Sequence, residues 1–298
     1  MNLLPTRRRR MSALLIVGCG DIGLRVLRLL HGRYRVLALT STPSRRKALR
    51  NAGALPLLGN LDDVATLGRL GGLADAVLHL APPPASGERD TRTRNLLCAL
   101  ARGGRVRRIV YASTSGVYGD CAGARFDETR AAQPSTARAR RRVDAEAQLR
   151  CYGRRTGVAV SLLRIPGIYA SDRDGGHPRA RLQRGTPVLR TVDDVYTNHI
   201  HADDLARACV AALHHALPQR VVHVSDDTEL RMGDYFDLAA DLCGLPRAPR
   251  ISRAEAATQL SPMQLSFMSE SRRLGNQRLK RELKLRLRYP TVAEGLLA

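Results

Sequence analysis

Along this chain, short stretches that are apolar at nearly every position alternate with stretches in which apolar residues recur every three or four. Ala13–Val17 (ALLIV), Arg35–Leu39, Ala54–Leu58, Ala76–Leu80, Arg108–Ala112 and Val158–Leu163 are of the first kind and are predicted to be strands. Ile22, Val26, Leu27 and Leu30 mark one face of a helix, and further helices are predicted at Arg45–Asn51, through Leu96–Ala101 and over Arg138–Leu149. Strands that are apolar throughout and separated by helices imply a parallel sheet covered on both faces, an α/β fold. The last third differs: AADLCGLP, EAATQLSPMQLSFMS and a tail rich in basic residues predict a smaller, mainly helical cap. The expected organisation is a basic extension over residues 1–11, a first domain over 12–165, and a cap region over 166–298 from which a late strand and helix return to the core.

The first strand runs into Gly18-Cys19-Gly20-Asp21-Ile22-Gly23, a G-x-G-x-x-G element between an apolar strand and an amphipathic helix. In that context it reads as a doubly wound, Rossmann-type dinucleotide loop. Gly18 permits the sharp turn, Gly20 lets a pyrophosphate approach the backbone, and Gly23 lets the helix pack close to the strand. The helix N-terminus, with Asp21 and Ile22, attracts the phosphates. At the end of the second strand a carboxylate would favour a ribose 2′-hydroxyl. This chain has Thr40-Ser41-Thr42 instead, followed by Arg45 and Arg46, which favours NADP(H), with NAD(H) as the alternative. A bland reading has Arg45 and Arg46 merely solvating the next helix. Leu80, Ala81 and Pro82 end the fourth strand, where the middle of the dinucleotide would lie.

Composition changes this picture little. The chain has 298 residues with 44% hydrophobic content and a formal charge of +22. The charge is almost entirely arginine, since only Lys47, Lys280 and Lys284 are lysines, and it is spread along the chain apart from Arg7 to Arg10. With aromatics at 4%, few rings accompany it to stack on bases, so no specific nucleic-acid partner is expected. No apolar run is long enough to span a bilayer. The six cysteines show neither CxxC nor Cys/His spacing, which argues for reduced thiols in a cytoplasmic protein and against a metal site. Met1 to Arg10 is expected to be a disordered extension, with Met11 as an alternative start. The expected partner is a small-molecule substrate, and oligomeric state is left open.

Five motifs in order, GCGDIG, GNLDD (Gly59–Asp63), STSGVYG, LRIPGIYA (Leu163–Ala170) and HIHADDLARA (His199–Ala208), make the chain resemble the extended branch of the short-chain dehydrogenase/reductase superfamily. That branch is the NAD-dependent epimerase/dehydratase family; the chain is similar to its atypical bacterial NAD(P)-dependent oxidoreductases. The resemblance implies that Thr114 hydrogen-bonds the substrate oxygen and that Asn60-Leu61-Asp62 borders the adenine. It implies further that Pro166-Gly167-Ile168 borders the nicotinamide and that Asp203 and Asp204 form a structural acidic pair, Asp203 alternatively capping the helix that follows.

One departure is central. The family uses a tyrosine as acid/base and a lysine four residues later, commonly with a glutamate four residues beyond. Setting that glutamate at Glu146 puts Arg142 at the lysine position and Arg138 at the tyrosine position, and none of the eight tyrosines has a lysine four residues on. Arginine stays protonated and cannot act as the base. Arg142 is expected to hold the ribose hydroxyls and Arg138 to bind a substrate anion, with Arg140 and Arg141 solvated. In the bland alternative, Arg138 or Arg142 pairs with Asp144 or Glu146. Another proton donor is then needed, for which Tyr196 or His199 in the polar stretch Asp193–His201 is suited; Tyr118 is expected to pack. The expectation is an NAD(P)-dependent oxidoreductase or epimerase/dehydratase-like enzyme of unknown, anionic substrate. A catalytically silent NADP(H)-binding sensor is the alternative.

Overall fold

The structure is a computed structural model that describes residues 11–30 and 32–298. The expected extension at Met1–Arg10 lies outside the described residues. Seven parallel strands form one sheet: β1 (Ala13–Val17), β2 (Arg35–Thr40), β3 (Leu55–Leu58), β4 (Ala76–His79), β5 (Arg108–Thr114), β6 (Ala159–Ile165) and β7 (Arg220–His223). Their spatial order is β3-β2-β1-β4-β5-β6-β7, so the chain reverses direction across the sheet between β1 and β4. In such folds ligands bind outside the carboxyl ends of the strands at that reversal.

The strands form where expected because β1, β4 and most of β2, β5 and β6 are buried on both faces. Helices α1 (Asp21–Leu29) and α5 (Ala202–His215) cover one face, packed against each other, with Val26, Leu27, Leu205 and Cys209 in one core. Helices α3 (Thr91–Ala101) and α4 (Ala137–Thr156) cover the other through Leu96, Leu100, Ala145 and Leu149. Helix α2 (Arg45–Asn51) follows β2, buries Leu49 and leaves its other residues accessible.

The cap has its own core around Leu182, Val188, Tyr235, Phe236 and Met268. It is built on α6 (Met232–Cys243), shorter helices and two-residue ladders such as Val188–Leu189 with Arg250–Ile251. Neither these ladders nor β7 is evident in the hydropathy pattern. No helix among the described residues is long and apolar enough to cross a membrane.

Candidate active site

The glycine loop has a separate task at each glycine. Gly18 sits at φ +85°, and a Cβ there would meet the Ala81 amide nitrogen at 2.5 Å, so the loop lies directly against the end of β4. A Cβ on Gly23 would meet Cys19 Sγ at 2.9 Å and Ile16 Cγ2 at 3.5 Å, which is the close helix–strand contact expected. A Cβ on Gly20 would meet nothing within 4 Å. Gly20 faces a cleft of about 320 Å³, lined also by Asp21, Ile22, Leu80, Thr114, Ile168 and Arg173. These residues fit a dinucleotide: bare backbone at the N-terminus of α1 faces open space where a pyrophosphate would lie. The Asp21 carboxylate is neutralised by Arg25 at 3.0 Å and by Arg173 at 2.5 Å, so what Asp21 presents to a phosphate is its backbone.

Arg45 does not simply solvate α2. Its Nη2 donates to the Cys19 carbonyl at 2.8 Å, which holds the guanidinium between the glycine loop and the end of β2. Thr40 is nearly buried and accepts from the Thr42 amide at 3.2 Å, while Ser41 and Arg46 are exposed. Asn60 and Asp62 form a side-chain turn, and Arg92 of α3 grips Asp62 with bonds of 2.8 and 2.6 Å. That contact holds the Asp62 carboxyl below its usual range. The buried Leu61 accepts from Asn95 through its carbonyl at 2.8 Å. None of Thr40, Ser41, Arg45, Asn60 and Leu61 lines the cleft at the glycine loop.

A larger cavity of about 680 Å³ adjoins it, between the strand ends and the cap. Thr114, Arg142 and Pro166 line both. Thr114 accepts from the Gly116 amide at 3.2 Å, which leaves its hydroxyl hydrogen free to donate. Arg142 Nη1 donates to the Tyr111 hydroxyl at 2.9 Å and to the Ala112 carbonyl at 2.7 Å, anchoring the guanidinium over the sheet edge. Arg138 is exposed at the cavity, its guanidinium 5.2 Å from the centre of the Phe267 ring on the cap.

Two expectations about this helix are corrected. Arg141 is not solvated: it is 7% exposed, lines the cavity and donates to the Gly87 carbonyl at 2.6 Å, because its position on α4 turns it under the loop before α3. Arg140 alone reaches outward, to Glu88 at 2.6 Å. Nor do Arg138 and Arg142 pair with Asp144 or Glu146. Asp144 accepts from the Asp90 amide and Gln148, and Glu146 accepts from Ser113 Oγ at 2.6 Å and pairs with Arg164 at 2.7 Å.

Behind the site, Arg164 lies 4.7 Å over the Tyr118 ring, and the Tyr118 hydroxyl is 2.5 Å from His223 Nε2. His223 Nδ1 is 2.9 Å from the Gly275 carbonyl, which can only accept, so Nδ1 carries the proton and Nε2 accepts from Tyr118. Burial pushes the Tyr118 phenol up to about 12 and the His223 imidazole down to about 4. Tyr118 therefore packs, as expected, and lines neither cavity.

Tyr196, Thr197, Asn198 and His199 line the larger cavity together. Tyr196 is partly exposed, with Arg273 at 4.6 Å and Arg231 at 5.6 Å from its ring centre. His199 is stacked on Tyr235 at 4.2 Å, and burial lowers it to about 4, so it is neutral near pH 7. Asp203 does not cap α5; His201 does, accepting the Asp203 amide on Nδ1 at 3.2 Å. The Asp203 carboxylate instead ties α5 to Arg25 of α1, and the fully buried Asp204 accepts the Arg288 and Tyr289 amides. Arg173, Arg181 and Arg272 also line these cavities. In so arginine-rich a sequence nothing marks them out.

Comparison with known proteins agrees with this construction. The model of the NAD dependent epimerase/dehydratase family matches residues 14–225. A conserved protein of unknown function from Silicibacter pomeroyi is 30% identical, with 96% of this chain and 97% of that one covered and a TM-score of 0.80. A UDP-glucose 4-epimerase from Thermotoga maritima, solved with UDP-glucose, is 20% identical over 95% and 96% of the two chains, with a TM-score of 0.77. A nucleoside-diphosphate-sugar epimerase from Pseudomonas aeruginosa is 20% identical over 97% and 96%, with a TM-score of 0.78. Among curated proteins none matches this chain.

Proposed function

Because the chain belongs to the NAD-dependent epimerase/dehydratase family, we propose that it is an NADP(H)-dependent oxidoreductase or epimerase-like enzyme acting on an anionic carbonyl or hydroxyl compound. The observation that carries this reading is the junction of two cavities at Thr114, Arg142 and Pro166, one fitted to a dinucleotide and the other lined by arginines. A bound nicotinamide would supply hydride chemistry at that junction. The residues of the chain supply the rest. Gly18, Gly20 and Gly23 with the N-terminus of α1 receive the pyrophosphate, and Arg45 with Thr40 and Ser41 favours a 2′-phosphate. Thr114 donates to the substrate oxygen. Arg142 holds ribose hydroxyls on one side and stabilises negative charge on the other, without moving a proton itself. Arg138 binds the substrate anion. Tyr196 is assigned the proton transfer, because His199 is buried, neutral and stacked.

The test is NADPH oxidation with a panel of carbonyl compounds, comparing wild type, Arg138→Ala and the double variant Arg138→Tyr with Arg142→Lys. Wild-type turnover of an anionic carbonyl compound, lost in Arg138→Ala, is the expected result. Turnover in the double variant alone would make the natural protein a silent NADP(H) binder.

A further inference from the structure

Resting on that enzymatic reading, we propose that the substrate carries a second anionic group, a carboxylate or phosphate, and that Arg181 of the cap binds it. Arg181 belongs to the short helix Arg179–Gln183 and lines the larger cavity, with its guanidinium 4.2 Å from the centre of the Phe236 ring. Its Nη2 donates to the Pro187 carbonyl at 3.3 Å, and its Nε is buried with no partner. Among the described residues no carboxylate pairs with it. Burial, with Arg184 adding to it, lowers its pKa from the ordinary arginine value, yet an arginine remains charged at any working pH. A guanidinium removed from water without a counter-ion is unfavourable, and proteins pair such groups. Two buried arginines away from the cavity follow that rule: Arg25 meets Asp21, Asp172 and Asp203, and Arg164 meets Glu146.

Arg141 is the parallel case on a different element. It is 7% exposed, its Nε is also buried without a partner, and it makes no salt bridge among the described residues. Two incompletely satisfied guanidinium groups, one from α4 and one from the cap, thus face one cavity. Around Arg181 the lining is apolar and aromatic, with Met232, Tyr235 and Phe236. An anion seated there is shielded from water, where a charge-assisted hydrogen bond is strongest. The cavity therefore suits a substrate with an anionic group beside Arg138 and Arg142, the reacting carbon near Thr114, and a second anionic group at Arg181.

The experiment measures binding rather than turnover. Calorimetry on the full chain, with NADPH present and absent, compares linear dicarboxylates from malonate to adipate with the monocarboxylate of equal length, and with the matching phosphonocarboxylates. At one chain length or more, the dianion is expected to bind wild type at least about tenfold tighter than its monoanionic counterpart. Arg181→Met should erase that advantage and Arg181→Lys should restore part of it, with the melting temperature reporting that both variants fold. The better of the carboxylate and phosphonate series identifies the distal group. A preference that persists in Arg181→Met, or no preference at any length in wild type, would overturn the assignment. If the preference and its loss are found but NADPH is never oxidised, the enzyme reading fails and the anion site stands. If turnover is found and Arg181→Met leaves KM unchanged, the assignment of Arg181 fails alone.

Discussion

Two sets of arginines in this protein have opposite surroundings. Arg25 and Arg164 are almost wholly buried inside the nucleotide-binding half, and each is matched to carboxylates: Arg25 to three aspartates from three segments, Arg164 to Glu146 with both Nε and Nη2 engaged. Arg138, Arg141, Arg142 and Arg181 stand at the larger cavity, and among the described residues none of them forms a salt bridge. The first set joins elements, since Arg25 ties α1 to α5 and Arg164 ties β6 to α4. The second set holds its charge in reserve, anchored by carbonyls, a phenol and aromatic faces that fix position without neutralising anything. Among these six arginines the partner separates those that join elements from those left unpaired at the cavity, whereas Arg173 and Arg272 line the cavities and are paired, with Asp21 and Glu270.

The sharpest way to break this contrast is to remove one acid from the scaffold. Glu146→Ala leaves Arg164 buried and unpaired and Ser113 Oγ without its acceptor, and should cost about 3–5 kcal/mol in chemical denaturation. In the same assay Arg181→Met should be neutral or stabilising by about 1 kcal/mol, because it removes a charge that has no partner to lose. Equal losses in the two variants would refute the division.

The glycine loop offers the next comparison. Gly20→Val projects only into the open cleft, so dinucleotide affinity should fall at least about a hundredfold, roughly 2.7 kcal/mol, with little change in melting temperature. Gly18→Ala meets the Ala81 backbone and a positive φ, so the fold itself should weaken.

Acid should act on the buried imidazoles. His79, His199 and His223 are held down to about 3, 4 and 4 by burial, so the unfolded chain binds protons below its own histidine pKa while the folded chain does not. Their contribution to stability is complete above about pH 6.5 and is lost as pH falls from there toward 4, each at about 1.4 kcal/mol per pH unit. The buried carboxyls of Glu128 and Asp226, raised by desolvation, oppose this trend, so the histidine contribution is best read by difference. His199→Phe should flatten the dependence of unfolding free energy on pH by one proton between pH 6.5 and 5. An unchanged slope would contradict its being neutral in the fold.

The smallest expected effect is at Arg45. Arg45→Ala should weaken NADPH binding about tenfold and leave NADH within about twofold, measured by calorimetry at fixed salt. Equal losses for the two cofactors would show that Arg45 supports the loop through the Cys19 carbonyl without reading the 2′-phosphate.

Much of the nucleotide-binding half was legible in the sequence, because strands buried on both faces leave continuous apolar runs and the glycine loop falls between a strand and a helix. The strand β7 was less so: Arg220–His223 contains one arginine and one histidine, and the core use of His223 depends on Tyr118, more than a hundred residues earlier. The cap ladders are two residues long and generate no periodicity. At the site, the spacing to Glu146 directed attention to Arg138 and Arg142, and both line the larger cavity. The surroundings of Arg141 and Arg181 were not legible, since burial without a counter-ion is a property of three-dimensional neighbours. The alternative that Asp203 caps α5 fails as well, since His201 serves as the cap.

Arg142 has a consequence that reaches beyond its own contacts. It borders the dinucleotide cleft and the larger cavity at once, and it is held in place by Tyr111 and the Ala112 carbonyl. Both cavities thus draw on one fixed positive charge, and a ligand that screens it from one side alters the potential felt on the other. Were both cavities to hold anionic ligands, their occupancy would be thermodynamically coupled and the coupling reciprocal: the factor by which one ligand changes the affinity of the other is the same in either order of addition. Since the shared element is a stationary charge, this communication needs no conformational transition, and it weakens as ionic strength rises.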